Sequence, residues 1–338
     1  MLSINPTYNT QYTSPINQNR QIRTIKPQND TVQFKGRVGH EVIKNGKKNL
    51  TLIQETAFFR EPDTLNWAIK YIQNKFAKNT KIRIIVGACS SGEEALSFKM
   101  LMKDRKTEIL GFDAGENAIK KANKHIYQIS RPKDKKNAEF AKEIGLSAYK
   151  DGYLSFSGRP LTGMHKKHQE LFNKFFEEIE TPEHKTSLIT KFRNYLLEKM
   201  GRTPDIEVKS RTYKLKNPET LNCNFMVGNI EQMDKFTPKG KAHILSFRNA
   251  FYHIMNEDLE QFERTPLPDK ELKPILDNIG KQANRVLEKD GLFILGEHED
   301  KQGSNMKLLS EVLKNSGFTE AVENRNNYCN IWKKVKDL

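Results

Sequence analysis

The feature that most limits what this chain can fold into is a β-branched run that ends abruptly in small residues. Ile82-Arg83-Ile84-Ile85-Val86 reads as a buried strand, and Gly87-Ala88-Cys89-Ser90-Ser91-Gly92 follows it directly. Gly92–Asp104 then reads as a helix, Glu108–Phe112 as a second strand ending at Asp113, and Glu116–Ile126 as a second helix. Strand, helix, strand, helix at this spacing predicts a parallel α/β sheet. Small residues between strand and helix let the backbone approach a ligand closely, and the start of the helix offers free N–H groups.

A helix over Asp63–Lys78, with Leu65, Ala68, Ile69, Ile72 and Phe76 on one face, precedes the sheet. The alternation lapses between about Ser130 and Leu221. That stretch holds a Lys-rich loop, a Gly/Ser/Pro segment, a helical block over His165–Met200 and an exposed strand pair at Ile206–Leu215. In the helical block Leu171, Phe172, Phe175, Phe176 and Ile179 form the apolar face. The pattern resumes with strands at Phe225–Val227 and His243–Phe247, an amphipathic helix at Asp269–Glu288 and a strand at Leu292–Leu295. A helix around Met306–Asn315 and strands near Phe318–Val322 and Tyr328–Val335, the last two an antiparallel hairpin, complete it. Three regions follow: a polar, disordered tail over 1–45, an α/β domain over 46–130 and 221–338, and an inserted α+β subdomain over 131–220.

Charge and composition exclude several classes. The formal net charge is +15, and residues 1–50 hold eight Lys/Arg against two Asp/Glu, but the remaining excess is scattered along the chain. No continuous basic helix and no interleaving of arginines with aromatics marks a nucleic-acid binder, so nucleic acid is not the favoured partner; an acidic protein is. No window approaches the roughly 18 apolar residues of a membrane span. The start of the chain lacks the basic and apolar regions of a secretory signal. Three cysteines without C-x-x-C spacing fit a reducing cytoplasm rather than a disulfide framework or a zinc site.

Glu93 and Glu94 open the helix after the small-residue loop. They complement its dipole, and they would repel a pyrophosphate while suiting a cationic ligand. Asp113, at the end of the second strand, stands where an acid accepts hydrogen bonds from ribose hydroxyls; its plainer role is to cap the next helix. Gly296–Asp300 do not converge as metal ligands, His165 and His168 read as surface residues, and Cys89 is a small packed side chain.

Thr56-Ala57-Phe58-Phe59-Arg60-Glu61 resembles the T-x-F-F-R signature of the CheR-type, SAM-dependent glutamate methyltransferases of chemotaxis receptors. Gly87–Ser97 is similar to that family's S-T-G-E-E loop, and Gly111-Phe112-Asp113 to its second strand. Phe225–Ile230 resembles F-x-x-x-N-L, Phe247-Arg248-Asn249 resembles C-R-N, and Leu287–His298 resembles the L-K-P-G-G strand. The resemblance implies a Rossmann-like SAM-methyltransferase fold: a mostly parallel sheet with a C-terminal antiparallel hairpin and an inserted α+β subdomain. It implies S-adenosyl-L-methionine as cofactor, bound by Thr56, Arg60, Gly87, Glu93, Asp113, Asn229, Ile230, Arg248 and Asn249. Asp113 would hold the ribose, Asn229 and Ile230 would flank the adenine, and Arg60 and Tyr252 would face the reacting group.

The implied reaction is transfer of a methyl group to a glutamate carboxylate of a protein. That acceptor is ionised at neutral pH and needs no general base. Three departures stand out. The family's N-terminal helical domain has no counterpart in the polar tail. Gln54 and Tyr252-His253 replace the family's Asn and its aromatic four residues beyond C-R-N. The insertion is about twice the family's usual length, where the family has a small β subdomain that contacts protein partners. Methylation of RNA or a small molecule on the same core, or a degenerate binding module, are the alternative expectations.

Overall fold

The computed structural model describes residues 40–44, 47–51, 56–132, 166–180, 208–248, 250–258, 264–296, 304–321 and 330–338. Most of the expected disordered tail lies outside these residues. At its end His40–Lys44 (β1) is a strand rather than disordered, and it pairs antiparallel with Lys47–Thr51 (β2) just beyond the tail. The α/β domain follows with Pro62–Lys75 (α1), Ile82–Gly87 (β3), Glu93–Leu101 (α2), Thr107–Asp113 (β4) and Glu116–Ala122 (α3). The inserted region contributes Ile126–Pro132 (β5), Lys166–Phe175 (α4), Phe176–Ile179 (β6) and Val208–Leu215 (β7). Cys223–Val227 (β8), Ala242–Ser246 (β9) and Phe251–Met255 (α5) come next, with a short hairpin of Asn256–Asp258 (β10) and Arg264–Pro266 (β11). Asp269–Val286 (α6), Leu287–Gly296 (β12), Ser304–Asn315 (α7), Phe318–Glu320 (β13) and Asn330–Lys334 (β14) end the chain.

Seven strands form the main sheet in the order β13-β14-β12-β9-β3-β4-β8. Strands β12, β9, β3, β4 and β8 pair in parallel, while β14 runs antiparallel between β12 and β13. This is the Rossmann-like methyltransferase sheet with its reversed hairpin. The centres of β3, β9 and β12 are apolar and buried on both faces, as helices on both sides of the sheet require. Ile84, Ile244 and Ile294 face one core with α1 and α2; Ile85, Leu245 and Phe293 face the other with α6 and α7. From β3 the chain runs outward through β4 to β8 and then returns to β9 on the opposite side of β3. That reversal opens a crevice at the carboxyl ends of β3 and β9, the place where open α/β sheets bind ligands.

The inserted region departs from expectation. Helix α3 stops at Ala122, and the chain enters β5 at Ile126, so the second sheet begins before residue 131. Helix α4 ends at Phe175, and Phe176–Ile179 is a strand rather than the continuation of the helix. A spacing of four between Phe172 and Phe176 suits a helix face, and the rings do stack at 4.3 Å, but Phe176 pairs with Leu215 across a sheet. Val208–Leu215 is one central strand, flanked by β5 and β6, and not a pair. Residues 181–207, most of the expected helical block, lie outside the described residues.

Candidate cofactor and active site

The crevice is lined first by the loop from Gly87 to Gly92. Ala88 and Ser90 adopt φ of 50°, and Gly92 has φ 93°. Non-glycine residues with left-handed backbone cost free energy and persist where the surroundings over-determine them. Here those surroundings are visible. The Cys89 amide donates to the Phe112 carbonyl at 3.0 Å, extending the β3–β4 ladder, and the Gly92 amide donates to the Cys89 carbonyl at 2.9 Å. The Ser90 amide donates to Asp113 Oδ2 at 2.8 Å. A Cβ on Gly87 would lie 2.6 Å from the Phe112 ring and 2.7 Å from that of Phe247, so this glycine is required for packing beneath the loop.

Asp113 therefore does more than terminate β4. Oδ2 fixes the loop after β3, and Oδ1 accepts from the Gly115 amide at 2.7 Å, fixing its own loop. Each oxygen keeps a lone pair for a further donor such as a ribose hydroxyl. Burial raises its carboxyl above the ordinary value, opposed by the two amides.

Glu93 is the most perturbed acid. It is buried at the start of α2, and burial pushes its carboxyl up to about 7 against the hydrogen bonds from Ser91 and Thr56. Ser91 Oγ donates to Oε1 at 2.9 Å, whereas Oε2 is buried with no hydrogen-bond partner among the described residues. Thr56 thereby joins the Thr56–Glu61 segment to the glycine loop. Opposite in character is Asn229 at the end of the β8 loop. Its Oδ1 accepts from the Glu231 amide at 3.0 Å, capping the 3-10 helix Ile230–Lys235, and its Nδ2 donor is buried without a partner among the described residues. The Ile230 side chain is part of the core, so Asn229 supplies the hydrogen-bonding group of the pair.

Thr56–Glu61 packs Phe58 and Phe59 fully inside, while the Arg60 side chain keeps 21% of its surface. The segment is strained as well: Phe59 has φ 53° and Glu61 φ 50°. Phe59 N donates to Ser97 Oγ at 2.8 Å, and that hydroxyl donates to the Glu93 carbonyl at 2.7 Å. A buried ion cluster holds the other end. Arg248, with no exposed side-chain surface, donates Nη1 to the Arg60 carbonyl at 2.9 Å and to Glu61 Oε2 at 3.3 Å. Its Nη2 donates to Glu94 Oε2 at 2.9 Å, and Ser246 Oγ donates to Glu94 Oε1 at 2.5 Å. Arg248 thus shapes the site through the Arg60 backbone rather than by facing an open pocket. Arg60 itself lies 3.8 Å from Glu61 through Nε, an ion pair without a hydrogen bond.

Thr56, Arg60, Glu93, Asp113 and Arg248 are brought together through these contacts; Gly87 closes the floor. Asn249 and the Tyr252 side chain lie outside what the structure describes. Glu61, Ser97 and Ser246 are not singled out as site residues by sequence, and Glu94 is read there only with Glu93 as an acid suited to a cationic ligand. Glu94 had a signal, as the second acid of the loop motif; Ser97 and Ser246 had none.

Four carboxylates, from Glu61, Glu93, Glu94 and Asp113, face two guanidiniums, so the site carries excess negative charge. The fit to SAM rests on two of the orphaned atoms, Glu93 Oε2 and Asn229 Nδ2. A buried carboxylate oxygen without a donor suits an ammonium group, and a buried amide donor without an acceptor suits a purine ring nitrogen. Pyrophosphate has no place beside Glu93. Among the described residues no group of three or more His, Cys, Asp or Glu could hold a metal ion, and no helix is long and apolar enough to cross a membrane. Residues 297–300 fall outside that statement.

Sheet order, crevice and charge fit a SAM-dependent methyltransferase, and the family comparison supports that class. Residues 54–142 match the model of the CheR methyltransferase, SAM binding domain. No curated protein matches the sequence. Among solved structures, a SAM-dependent methyltransferase from Methanosarcina mazei is 11% identical, with 79% of this chain and 97% of that one covered and a TM-score of 0.33. A putative S-adenosyl-L-methionine-dependent methyltransferase from Methanococcus maripaludis is 9% identical over 85% and 99%, with a TM-score of 0.36. A putative sarcosine dimethylglycine methyltransferase from Galdieria sulphuraria is 10% identical over 77% and 63%, with a TM-score of 0.34.

Proposed function

We propose that this methyltransferase esterifies a carboxylate, a glutamate side chain of a protein acceptor, in the cytoplasm and in a chemotaxis-related setting. The observation that carries the reading is the state of Arg60. Its backbone is pinned by Arg248 and its fork is partly exposed beside the acidic crevice, engaged among the described residues by a distant Glu61. A planar guanidinium so placed recognises a carboxylate through two parallel hydrogen bonds. Bound SAM would supply an electrophilic methyl carbon; an oxygen lone pair of the acceptor takes it, the bonding electrons stay on sulfur, and no proton moves. The residues then have three tasks. Glu93 and Asp113 hold the donor, Arg60 aligns the acceptor, and the buried Phe58-Phe59 wall keeps water from behind the site. Orientation of this kind is worth roughly 7 kcal/mol or more in well-aligned reactions.

The test uses the full chain, methyl-labelled SAM and a protein extract, with and without nuclease. Label that enters protein and leaves as methanol in mild alkali supports the ester, and Arg60→Ala should abolish it. Alkali-stable label, or label that disappears with nuclease, overturns the carboxylate acceptor in favour of another nucleophile.

A further inference from the structure

The lysines that are scattered along the sequence are gathered by the fold. In a parallel sheet every loop that leads into a strand emerges at one end, opposite the crevice. Lys78 precedes β3 and Lys106 precedes β4; Lys239 and Lys241 precede β9. Lys289 lies in the irregular stretch of β12 between Leu287 and Leu292, Lys314 precedes β13, and Lys336 follows β14, whose reversed direction returns it to the same end. All seven are exposed, and none forms an ion pair among the described residues. The acids at this end are largely engaged: Asp290 with Lys75, Glu108 with Lys81, Asp104 with Lys103, and Asp337 with Lys334. Lys334, and more weakly Lys239 and Lys289, hold the Asp337 carboxyl below its ordinary value, which shows these cations sharing one patch.

We propose that this end of the sheet is a docking surface for an anionic phospholipid membrane. Two observations favour lipid over nucleic acid. The guanidiniums here are already engaged by the protein: Arg105 Nη2 donates to the Ala77 carbonyl at 2.7 Å, Arg285 Nη2 to the Thr237 carbonyl at 2.9 Å, and Arg83 Nε to Glu108 Oε2 at 3.2 Å. Fork-shaped readers of phosphates and bases are thus withdrawn, and only point charges on flexible stems remain. Two exposed aliphatics also stand among the lysines, Val335 at 39% and Leu338 at 63%. Lysines around a small apolar tip suit an interface where stems snorkel and headgroups supply the negative charge. Bound this way, the molecule turns its acidic cofactor crevice away from the membrane, towards acceptors in solution.

The full chain is sedimented with vesicles of neutral phosphatidylcholine, and with vesicles in which roughly a third of the lipid is phosphatidylserine, at about 0.1 M salt. Binding to the anionic vesicles alone is expected. The triple variant Lys239→Glu, Lys289→Glu, Lys336→Glu should lose it by more than about a hundredfold, at about fivefold per charge. S-adenosylhomocysteine binding by that variant should stay unchanged, which establishes that it is folded. No binding by the wild type, or equal binding by the variant, overturns the proposal. So does single-stranded RNA binding that the triple variant loses while vesicle binding persists.

Discussion

Glu93 sits at the start of a helix, where a carboxylate is favoured by the dipole, yet burial raises its carboxyl from 4.5 to about 7. Between those two values the unfolded chain has given up this proton and the folded one has kept it, so stability falls as pH rises through the window and is flat above it. The difference is on the order of 3 kcal/mol. Glu93→Gln keeps an acceptor for Ser91 and removes the charge. It should therefore melt higher than the wild type at pH 8 and equally at pH 4, as differential scanning calorimetry would report. The cofactor side runs the opposite way. Holding an ammonium needs the charged form, so wild-type affinity for S-adenosylhomocysteine should drop about tenfold per unit below pH 7, and the Gln variant should bind weakly without that slope. A stable, weakly binding variant is the expected signature of a group retained for its ligand. At Asp113 the balance differs, because both oxygens organise loops; Asp113→Ala should lose cofactor binding and also some stability, while Asp113→Asn retains part of each.

At the scale of elements, the ion cluster explains why the Thr56–Glu61 segment holds a strained backbone. Removing Arg248 alone takes away the guanidinium that Glu61 and Glu94 share in the interior. Arg248→Met should cost about 3–5 kcal/mol in urea unfolding, and adding Glu61→Gln and Glu94→Gln should restore most of that stability but not activity. Ser97→Ala leaves the Phe59 amide without its acceptor and should cost about 1–3 kcal/mol. These contacts also mark the limit of what the sequence reveals. Strand β3 is legible from its β-branched residues, and β4, β9 and β12 from short apolar runs bounded by polar or glycine residues. Strand β5, Ile126-Tyr127-Gln128-Ile129-Ser130-Arg131-Pro132, is half polar and follows a helix without a turn signal, so its start was read as helix. Phe176 was misread because its spacing from Phe172 satisfies both periods. The loop acids and Asp113 stood out by position, but the pairing of Arg248 with Glu94 spans 154 residues, and no local pattern encodes it.

Over the whole molecule, two cores share one sheet, so the two faces should unfold together. A single calorimetric transition is expected, and S-adenosylhomocysteine at about a hundred times its Kd should add about 2.7 kcal/mol to it. Two transitions, with only one moved by ligand, would show the faces to be independent. The small sheet joins the same unit through an aromatic cluster. Phe58 lies 5.0 Å from the Tyr127 and Phe172 rings, and Phe59 stacks at 4.7 Å on His168, which is buried and is not the surface residue its spacing suggests. The inserted region therefore rests against the segment that carries Arg60.

The Arg248 anchor also sets a timetable for synthesis. A nascent chain that has emerged only through residue 142 already carries the glycine loop, Asp113 and Arg60. It lacks β9, the strand that must slot between β3 and β12, and with it the cation that holds Arg60 in place. Competence to use the cofactor arrives late, once the second half of the polypeptide has threaded into the middle of a sheet begun by the first.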